Sequence, residues 1–387
     1  MENDVNNFTF ENKTTVFFGK GSVAESLPAL LGGYGKNVLL AYGGGSIKSN
    51  GVYDEVTGIL EAAGKNVTEF SGIMSNPTYA KVQEGAALAR ENDVDLILAV
   101  GGGSVSDCCK AVSAQAKLDE DLWELENVKH GAPGGLIPLV TIVTVFGTGS
   151  EMNAGAVITN EELKVKGPLW GAQADAAFLD PTYTMSVPFV QVISGAFDTL
   201  SHAMETYFDT CAQNLSDDIN LALMGSVVRN IRTLLDDPQN YEARSELAWA
   251  SAMAENGILK IGKLTGFECH MMEHQLGAYT NCNHGAGLAV IHPHLYRHIY
   301  EGNVERFARF AREVWGASDA DDNAAALAGI DALAAFIKEI GLPTTFAELG
   351  IPADTDLHAV ADSTVILPGV PKQLDADEIY QILVECK

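Results

Sequence analysis

Apolar, largely β-branched runs punctuate the first half of the chain, at NVLLAY (37–42), VDLILAV (94–100), LIPLVTIVTV (136–145), AGAVIT (154–159) and AAFLD (176–180). Between some of them, apolar positions recur at helical spacing, as in VYDEVTGILEAAG, YAKVQEGAALAREN and SVSDCCKAVSAQAK. Strands that are apolar throughout and alternate with amphipathic helices predict a parallel sheet covered on both faces. From about residue 187 the strand signal fades, and long helical patterns take over in QVISGAFDTLSHAMETYFD, ALMGSVVRNIRTLL, ARSELAWASAMAENGILK, NVERFARFAREVWG and AAALAGIDALAAFIKEIG. The segment DPTYTMSVP (180–188), with two prolines, marks the predicted boundary. The pattern predicts an α/β domain over residues 1–186 and an all-helical domain over 187–387.

Composition narrows the functional classes. A chain of 387 residues with 47% hydrophobic residues is long enough for two cores. Lysine and arginine total 24 against 51 for aspartate and glutamate, a formal net charge of −27, which disfavours nucleic acid and anionic membranes as partners. The most apolar run, residues 134–147, is too short to span a bilayer and is broken by Pro138. The opening MENDVNNF is acidic and polar, unlike a secretory leader. Six cysteines without a CxxC spacing point to a reducing, cytoplasmic setting.

Two helical stretches carry candidate metal ligands. Asp198 and His202 are four residues apart in GAFDTLSHAME, and His270 and His274 are four apart in CHMMEHQLGAY. That spacing places each pair on one helix face. His284 follows ten residues after His274, beyond the turn-like NCNHG. One carboxylate and three imidazoles suit a borderline cation, Fe²⁺ or Zn²⁺, with a coordination position left for substrate. Cys269 and Cys282 flank the cluster and are not expected to be ligands.

A second feature points to a dinucleotide. Gly43–Gly44–Gly45–Ser46 follows NVLLAY, and Gly101–Gly102–Gly103–Ser104 follows VDLILAV, each as strand, glycine turn and helix. Glycine lets the backbone approach a phosphate, and the N–H groups at a helix start supply donors and a positive dipole end. The pattern is not the GxGxxG of an ordinary dinucleotide fold. The stretch Tyr42–Lys48 carries a hydroxyl and an ammonium and no acid, which favours the 2′-phosphate of NADP(H) over the bare ribose of NAD(H).

These residues resemble the iron-containing alcohol dehydrogenase family, and within it the NADPH-dependent butanol dehydrogenase and aldehyde reductase branch. The resemblance runs nearly end to end, through FGKGS, both glycine loops, GGGSVSDCCKA, TVFGTGSEMNAGAVIT, LDPTYT, FDTLSHAMETYF, YEARSELAWAS, CHMMEHQLGAY and HGAGLAV. It implies a Rossmann-like N-terminal dinucleotide-binding domain with a parallel sheet, an all-α C-terminal domain, and the dehydroquinate synthase-like architecture. It also implies metal ligation by Asp198, His202, His270 and His284, with Fe²⁺ ahead of Zn²⁺, and places His274 beside the metal as a proton-relay or substrate-orienting group. Cofactor contacts carry over to Gly44 and Ser46 near the adenosine ribose, and to Gly101, Gly102, Ser104 and Asp107 at the diphosphate. Thr144, Thr148, Asn153 and Lys166 match positions around adenine, ribose and nicotinamide, with Lys164 close enough to exchange with Lys166 through a short insertion.

The implied activity is hydride transfer between NADP(H) and a small primary alcohol or aldehyde, in a homodimer. A metal-dependent non-redox enzyme, a dehydroquinate synthase-like lyase, is the alternative on this architecture. Several residues read as structure instead. Asp107 stands near a helix start, where capping competes with cofactor binding. His294 and His298 have no match in the family pattern and read as a solvated helix face, and His130 and His358 as surface residues. Trp249 and Met253 read as core packing.

Overall fold

A computed structural model describes residues 7–387 of the chain. They form two compact units: Asn12–Pro188, and Phe189–Lys387 together with the described residues before Asn12.

The first unit is a six-stranded parallel sheet in the order β1 (Thr15–Phe18), β8 (Ala176–Leu179), β5 (Leu139–Val143), β4 (Leu96–Gly101), β2 (Asn37–Tyr42), β3 (Asn66–Phe70). Its helices are α1 (Ser22–Leu31), α2 (Ser46–Ser49), α3 (Val52–Ala62), α4 (Tyr79–Glu91), α5 (Gly103–Gln115) and α6 (Leu122–Asn127). Successive strand side chains point to opposite faces, so Val38, Leu40, Leu98 and Ile142 share a core with Leu27 of α1 and Val56 and Leu60 of α3. Leu39, Ala41, Ile97 and Leu139 join a second core with Val82 of α4 and Val112 of α5. Both faces are covered, which is why the central strands lack alternation in sequence.

One expectation needs correction. AGAVIT does not join the parallel sheet: it forms β6 (Gly155–Asn160), paired antiparallel with β7 (Val165–Trp170) in a separate hairpin. Lys164 adopts φ +53 in the connecting turn, and Ala156, Ile158 and Leu169 turn into the core beside α5. Just past β7, a Cβ on Gly171 would stand 2.0 Å from the Lys110 carbonyl oxygen. That close approach tolerates only glycine.

The second unit carries α7 (Phe189–Tyr207), α8 (Leu215–Asp236), α9 (Tyr241–Glu255), α10 (Glu268–Thr280), α11 (His284–Ile299), α12 (Val304–Trp315), α13 (Asp322–Glu339), α14 (Phe346–Leu349), α15 (Leu357–Ser363) and α16 (Ala376–Glu385). Among the described residues it contains no strand. Phe197, Met204, Val227, Leu276, Leu295, Phe310 and Leu333 belong to one continuous core drawn from α7, α8, α10, α11, α12 and α13. Around the C-terminal end of α7 lies a buried ionic cluster. Asp217 accepts from Arg306 Nη1 at 2.6 Å and from the Lys263 ammonium, while Asp209 lies 3.3 Å from Lys263 Nζ and 3.5 Å from Arg306 Nη2. No helix among the described residues is long and apolar enough to cross a membrane.

Candidate metal centre and nucleotide-binding turns

Three helices of the second unit bring their polar faces together. Asp198 and His202 project from α7 one turn apart, His270 comes from the first turn of α10, and His284 opens α11. The imidazole Nε2 atoms of His202, His270 and His284 lie 3.8, 3.5 and 3.6 Å from Asp198 Oδ1. Two local devices aim His284. Asn283 caps α11 by accepting from the Ala286 N–H at 3.0 Å, and its amide oxygen accepts from the Ser194 hydroxyl of α7. At the next position, a Cβ on Gly285 would fall 2.2 Å from the Ser194 carbonyl oxygen, so glycine is what lets α11 start this close to α7.

The four residues fit a cation. Asp198 Oδ1 and His270 Nε2 are both buried and have no hydrogen-bond partner among the described residues. A buried carboxylate oxygen without a donor is costly, and nitrogen lone pairs converging on it supply no proton when neutral. The donor set of one oxygen and three nitrogens matches Fe²⁺ or Zn²⁺. Burial would raise the Asp198 carboxyl, but His202, His284 and His270 outweigh it and hold the group well below the usual carboxylate range. Burial lowers His202. Burial also opposes charge on His270, yet Glu205 and Asp198 raise it to about 10. A cation would compete with a proton for this ring, so binding is expected to weaken on acidification.

Two glutamates complete the arrangement, and neither stands out in the sequence. Glu205 of α7 takes His270 Nδ1 on one carboxylate oxygen, and accepts from the Cys269 N–H at 2.6 Å on the other. Glu273 of α10 takes His284 Nδ1 in the same way. A carboxylate on Nδ1 fixes the tautomer that leaves the Nε2 lone pair facing Asp198. Glu205→Gln and Glu273→Gln are each expected to weaken metal binding roughly 10–100-fold. Competition with a chelator measures this, and unchanged affinity in both variants would refute the orienting role.

His274 stands beside the group. Its ring lies 5.5 Å from that of His284 and 5.9 Å from that of His270, centroid to centroid. It is buried. Glu273, His274 and His284 also present donor atoms within 4.8 Å of one another, but Glu273 is engaged by His284 Nδ1, whose Nε2 faces Asp198. The Asp198-centred set is therefore the coherent one.

In the first unit, the glycine turns close the carboxyl ends of β2 and β4. Gly45 adopts φ +109, and nothing stands within 4 Å of a Cβ placed on Gly44. A Cβ on Gly103 would meet Thr148 Oγ1 at 2.2 Å, and one on Gly101 would meet Val105 at 2.4 Å. The Thr144 N–H donates to the Gly101 carbonyl at 2.9 Å, so Gly101, Gly102, Ser104, Thr144 and Thr148 share one end of the sheet at the start of α5. The Ser104 hydroxyl donates to the Ser75 carbonyl. Gly44 and Ser46 lie on the neighbouring turn.

Asp107 is not a helix cap. It sits inside α5, whose cap position is Gly102 with no side-chain cap. Its carboxylate accepts from the Ser150 hydroxyl and from the Val157 N–H at 3.0 Å, and lies 3.7 Å from Lys110 Nζ. Lys110 is fully buried and donates to Asn153 Oδ1 at 2.9 Å and to the Gly155 carbonyl at 2.6 Å. Asp107 and Asn153 thus share one ionic network that ties α5 to the hairpin. Lys166 is buried on β7, whereas Lys164 is exposed in the turn.

The remaining candidates resolve individually. Trp249 does not pack in the core: it is 41% exposed on α9, while Met253 is partly buried against the core. His298 and His294 lie 3.1 and 3.8 Å from Glu385 on the face of α11 toward α16. His130 and His358 are exposed, and His358 stacks on Tyr380. Cys269 is a core thiol raised by burial, and the Cys282 thiol donates to Glu273 at 3.7 Å.

The family description "Iron-containing alcohol dehydrogenase" matches residues 13–181, and "Fe-containing alcohol dehydrogenase family, C-terminal" matches residues 192–386. The chain belongs to the iron-containing alcohol dehydrogenase family. It is 41% identical over 362 residues to a protein of Bacillus subtilis named probable NADH-dependent butanol dehydrogenase 2, covering 92% of each chain. It is 32% identical to the NADPH-dependent aldehyde reductase YqhD of Escherichia coli, covering 90% of each. Its fold superposes on the crystal structure of NADH-dependent butanol dehydrogenase A from Thermotoga maritima with a TM-score of 0.93, at 33% identity and 99% coverage of both chains.

Proposed function

We propose that the chain is a divalent-metal-dependent alcohol dehydrogenase that reduces small primary aldehydes of the butyraldehyde kind, with NADH as hydride donor. The observation that carries it is the buried Asp198 Oδ1 facing three imidazole Nε2 atoms within 3.8 Å. When bound, the cation supplies Lewis-acid polarisation of the substrate oxygen and the nicotinamide supplies hydride to the carbonyl carbon.

The residues do the rest. Asp198, His202, His270 and His284 would hold the cation, with iron favoured by the family. Glu205 and Glu273 keep the Nε2 lone pairs of His270 and His284 turned inward. His274 would pass a proton to the product oxygen, which needs one proton for each hydride received. Gly44, Ser46, Gly101, Gly102, Ser104, Asp107, Thr144, Thr148, Asn153 and Lys166 remain the proposed cofactor positions. In that set Asp107 and Asn153 act through Lys110, whose buried charge compensates a carboxylate near a diphosphate.

The expectation of NADP(H) rests on the Ser46 hydroxyl, the Lys48 ammonium and the lack of an acid in Tyr42–Lys48. That ammonium lies 3.3 Å from Glu69, and the Bacillus and Thermotoga relatives are named NADH-dependent. Both observations support the NADH reading, against the Escherichia coli relative, which is named NADPH-dependent. A dehydroquinate synthase-like lyase finds no support in the relatives' names. The free cysteines fit a reducing cytoplasm, and a homodimer follows the family expectation.

The test is turnover of butyraldehyde by anaerobically purified protein loaded with Fe²⁺ or Zn²⁺, followed as loss of reduced-cofactor absorbance. Higher kcat/KM with NADH than with NADPH is expected. No turnover with either metal and either cofactor would overturn the assignment.

A further inference from the structure

We propose that Glu69 sets the choice between the two nicotinamide cofactors, by neutralising Lys48 and placing a carboxylate where the 2′-phosphate of NADPH would have to go. The inference rests on the reading that the Gly43–Ser46 turn takes the adenosine ribose.

Glu69 lies on β3, the strand beside β2, in register with Leu40. Parallel pairing places it on the same sheet face as Leu40 and Tyr42, the face that α3 covers. Its carboxylate accepts from the Tyr42 hydroxyl, from the Tyr53 hydroxyl at 2.6 Å and from Lys48 Nζ at 3.3 Å. The Lys48 ammonium is also held over the rings of Tyr42 and Tyr53, 5.1 and 4.4 Å from their centroids. Tyr42 ends the strand that leads into the turn, and Lys48 is the cation nearest to the turn in sequence. The end of β3 is tied to the same turn, because the Gly72 N–H donates to the Gly43 carbonyl at 3.0 Å. Lys81, whose ammonium would lie 3.7 Å from a Cβ on Gly72, is paired with Glu84 at 2.8 Å. Both lysines beside this corner are therefore matched by glutamates.

The consequence is electrostatic. A ribose 2′-hydroxyl can donate to a carboxylate, the interaction by which dinucleotide folds select NAD. A 2′-phosphate adds nearly two negative charges and accepts only, so it meets repulsion from Glu69 and an ammonium already engaged. The acid that discriminates comes from the adjacent strand rather than from the residues following β2, which is why the stretch Tyr42–Lys48 looks receptive to phosphate when read alone. Nearly half of the Lys48 and Glu69 side chains is exposed, 48% and 44%, so the corner is open to a ligand.

The two probes are ADP-ribose and 2′-phospho-ADP-ribose, titrated calorimetrically into the full chain. They differ only in the discriminating group and require neither metal nor turnover. Wild-type protein is expected to bind ADP-ribose more tightly. Glu69→Gln keeps the side-chain shape and can still bond both tyrosines, its amide oxygen accepting from one hydroxyl and its amide NH2 donating to the other, while removing the charge that holds Lys48. It is expected to shift the ratio of the two affinities toward the phosphorylated probe by roughly tenfold or more, the scale of a new charge-assisted hydrogen bond together with relief of repulsion. Adding Lys48→Met to Glu69→Gln should erase the shift, an effect that a merely structural role for Glu69 would not give. If wild type prefers ADP-ribose and Glu69→Gln leaves the ratio unchanged, the role of Glu69 fails while the NADH reading stands. If wild type prefers 2′-phospho-ADP-ribose, or binds neither probe, the cofactor reading itself fails.

Discussion

Asp198→Ala is expected to lower turnover of the metal-loaded protein on the order of a thousandfold, the equivalent of losing several kcal/mol of transition-state stabilisation. The size follows from where the carboxylate stands. Its Oδ1 is the one oxygen shared by three Nε2 atoms at 3.5 to 3.8 Å, and it supplies the only negative charge in the proposed ligand set. Without it, three imidazoles face a buried space in which a divalent cation has no counter-charge. Elemental analysis of the same preparation should show loss of metal with loss of activity. Circular dichroism should show the helices of the second unit intact, because alanine is the best helix former and the position lies inside α7. Retention of both metal and turnover would remove Asp198 from the site.

Asp217→Ala is expected to destabilise the protein by about 3–5 kcal/mol, the penalty for removing one partner from a buried ionic cluster. Asp217 is buried and binds Arg306 and Lys263, and neither cation has an exposed side chain into which the charge could relax. It also closes a capping box at the start of α8, accepting from the Asn214 N–H at 2.8 Å. Burial would raise its carboxyl, but Arg306 and Lys263 outweigh that and lower it. Its contribution is accordingly present above the ordinary aspartate value of 3.8 and is lost as the pH falls through the lowered one. Asp209, raised chiefly by burial, acts in the opposite sense. The cluster anchors the end of α7, the helix that carries Asp198, His202 and Glu205, so the variant should also release metal at lower temperature than wild type. Chemical denaturation monitored by far-ultraviolet circular dichroism reads the effect, and a change below about 1 kcal/mol would show that the cluster is neutral for stability.

The central strands and long helices are legible in the sequence because both report on continuous burial. NVLLAY coincides with β2, and the 3.6-residue patterns of the second half fall on α7, α8, α9, α12 and α13. What is not legible lies at edges and between elements. β1 and β3 are short edge strands, and NVTEF alternates with polar residues because only one side of it is deeply covered. β6 has the composition of a sheet strand, but its partner β7 contains Lys166, Gly167 and Pro168, which give no strand signal. In the proposed metal centre, Asp198, His202, His270 and His284 are visible because candidate ligand residues at helical spacing are uncommon. Glu205 and Glu273 are not, because a glutamate on a helix looks like any solvated position until the fold buries it against an imidazole. Glu69 is hidden for a related reason: it reaches the first glycine turn across the sheet, from a strand 24 residues away in the chain from Gly45.

X-ray absorption at the iron edge of anaerobically loaded protein tests the central claim most directly. The account predicts one iron per chain surrounded by nitrogen and oxygen only, with the outer-shell scattering of three imidazoles. A sulfur neighbour, or a first shell without imidazole, would contradict it.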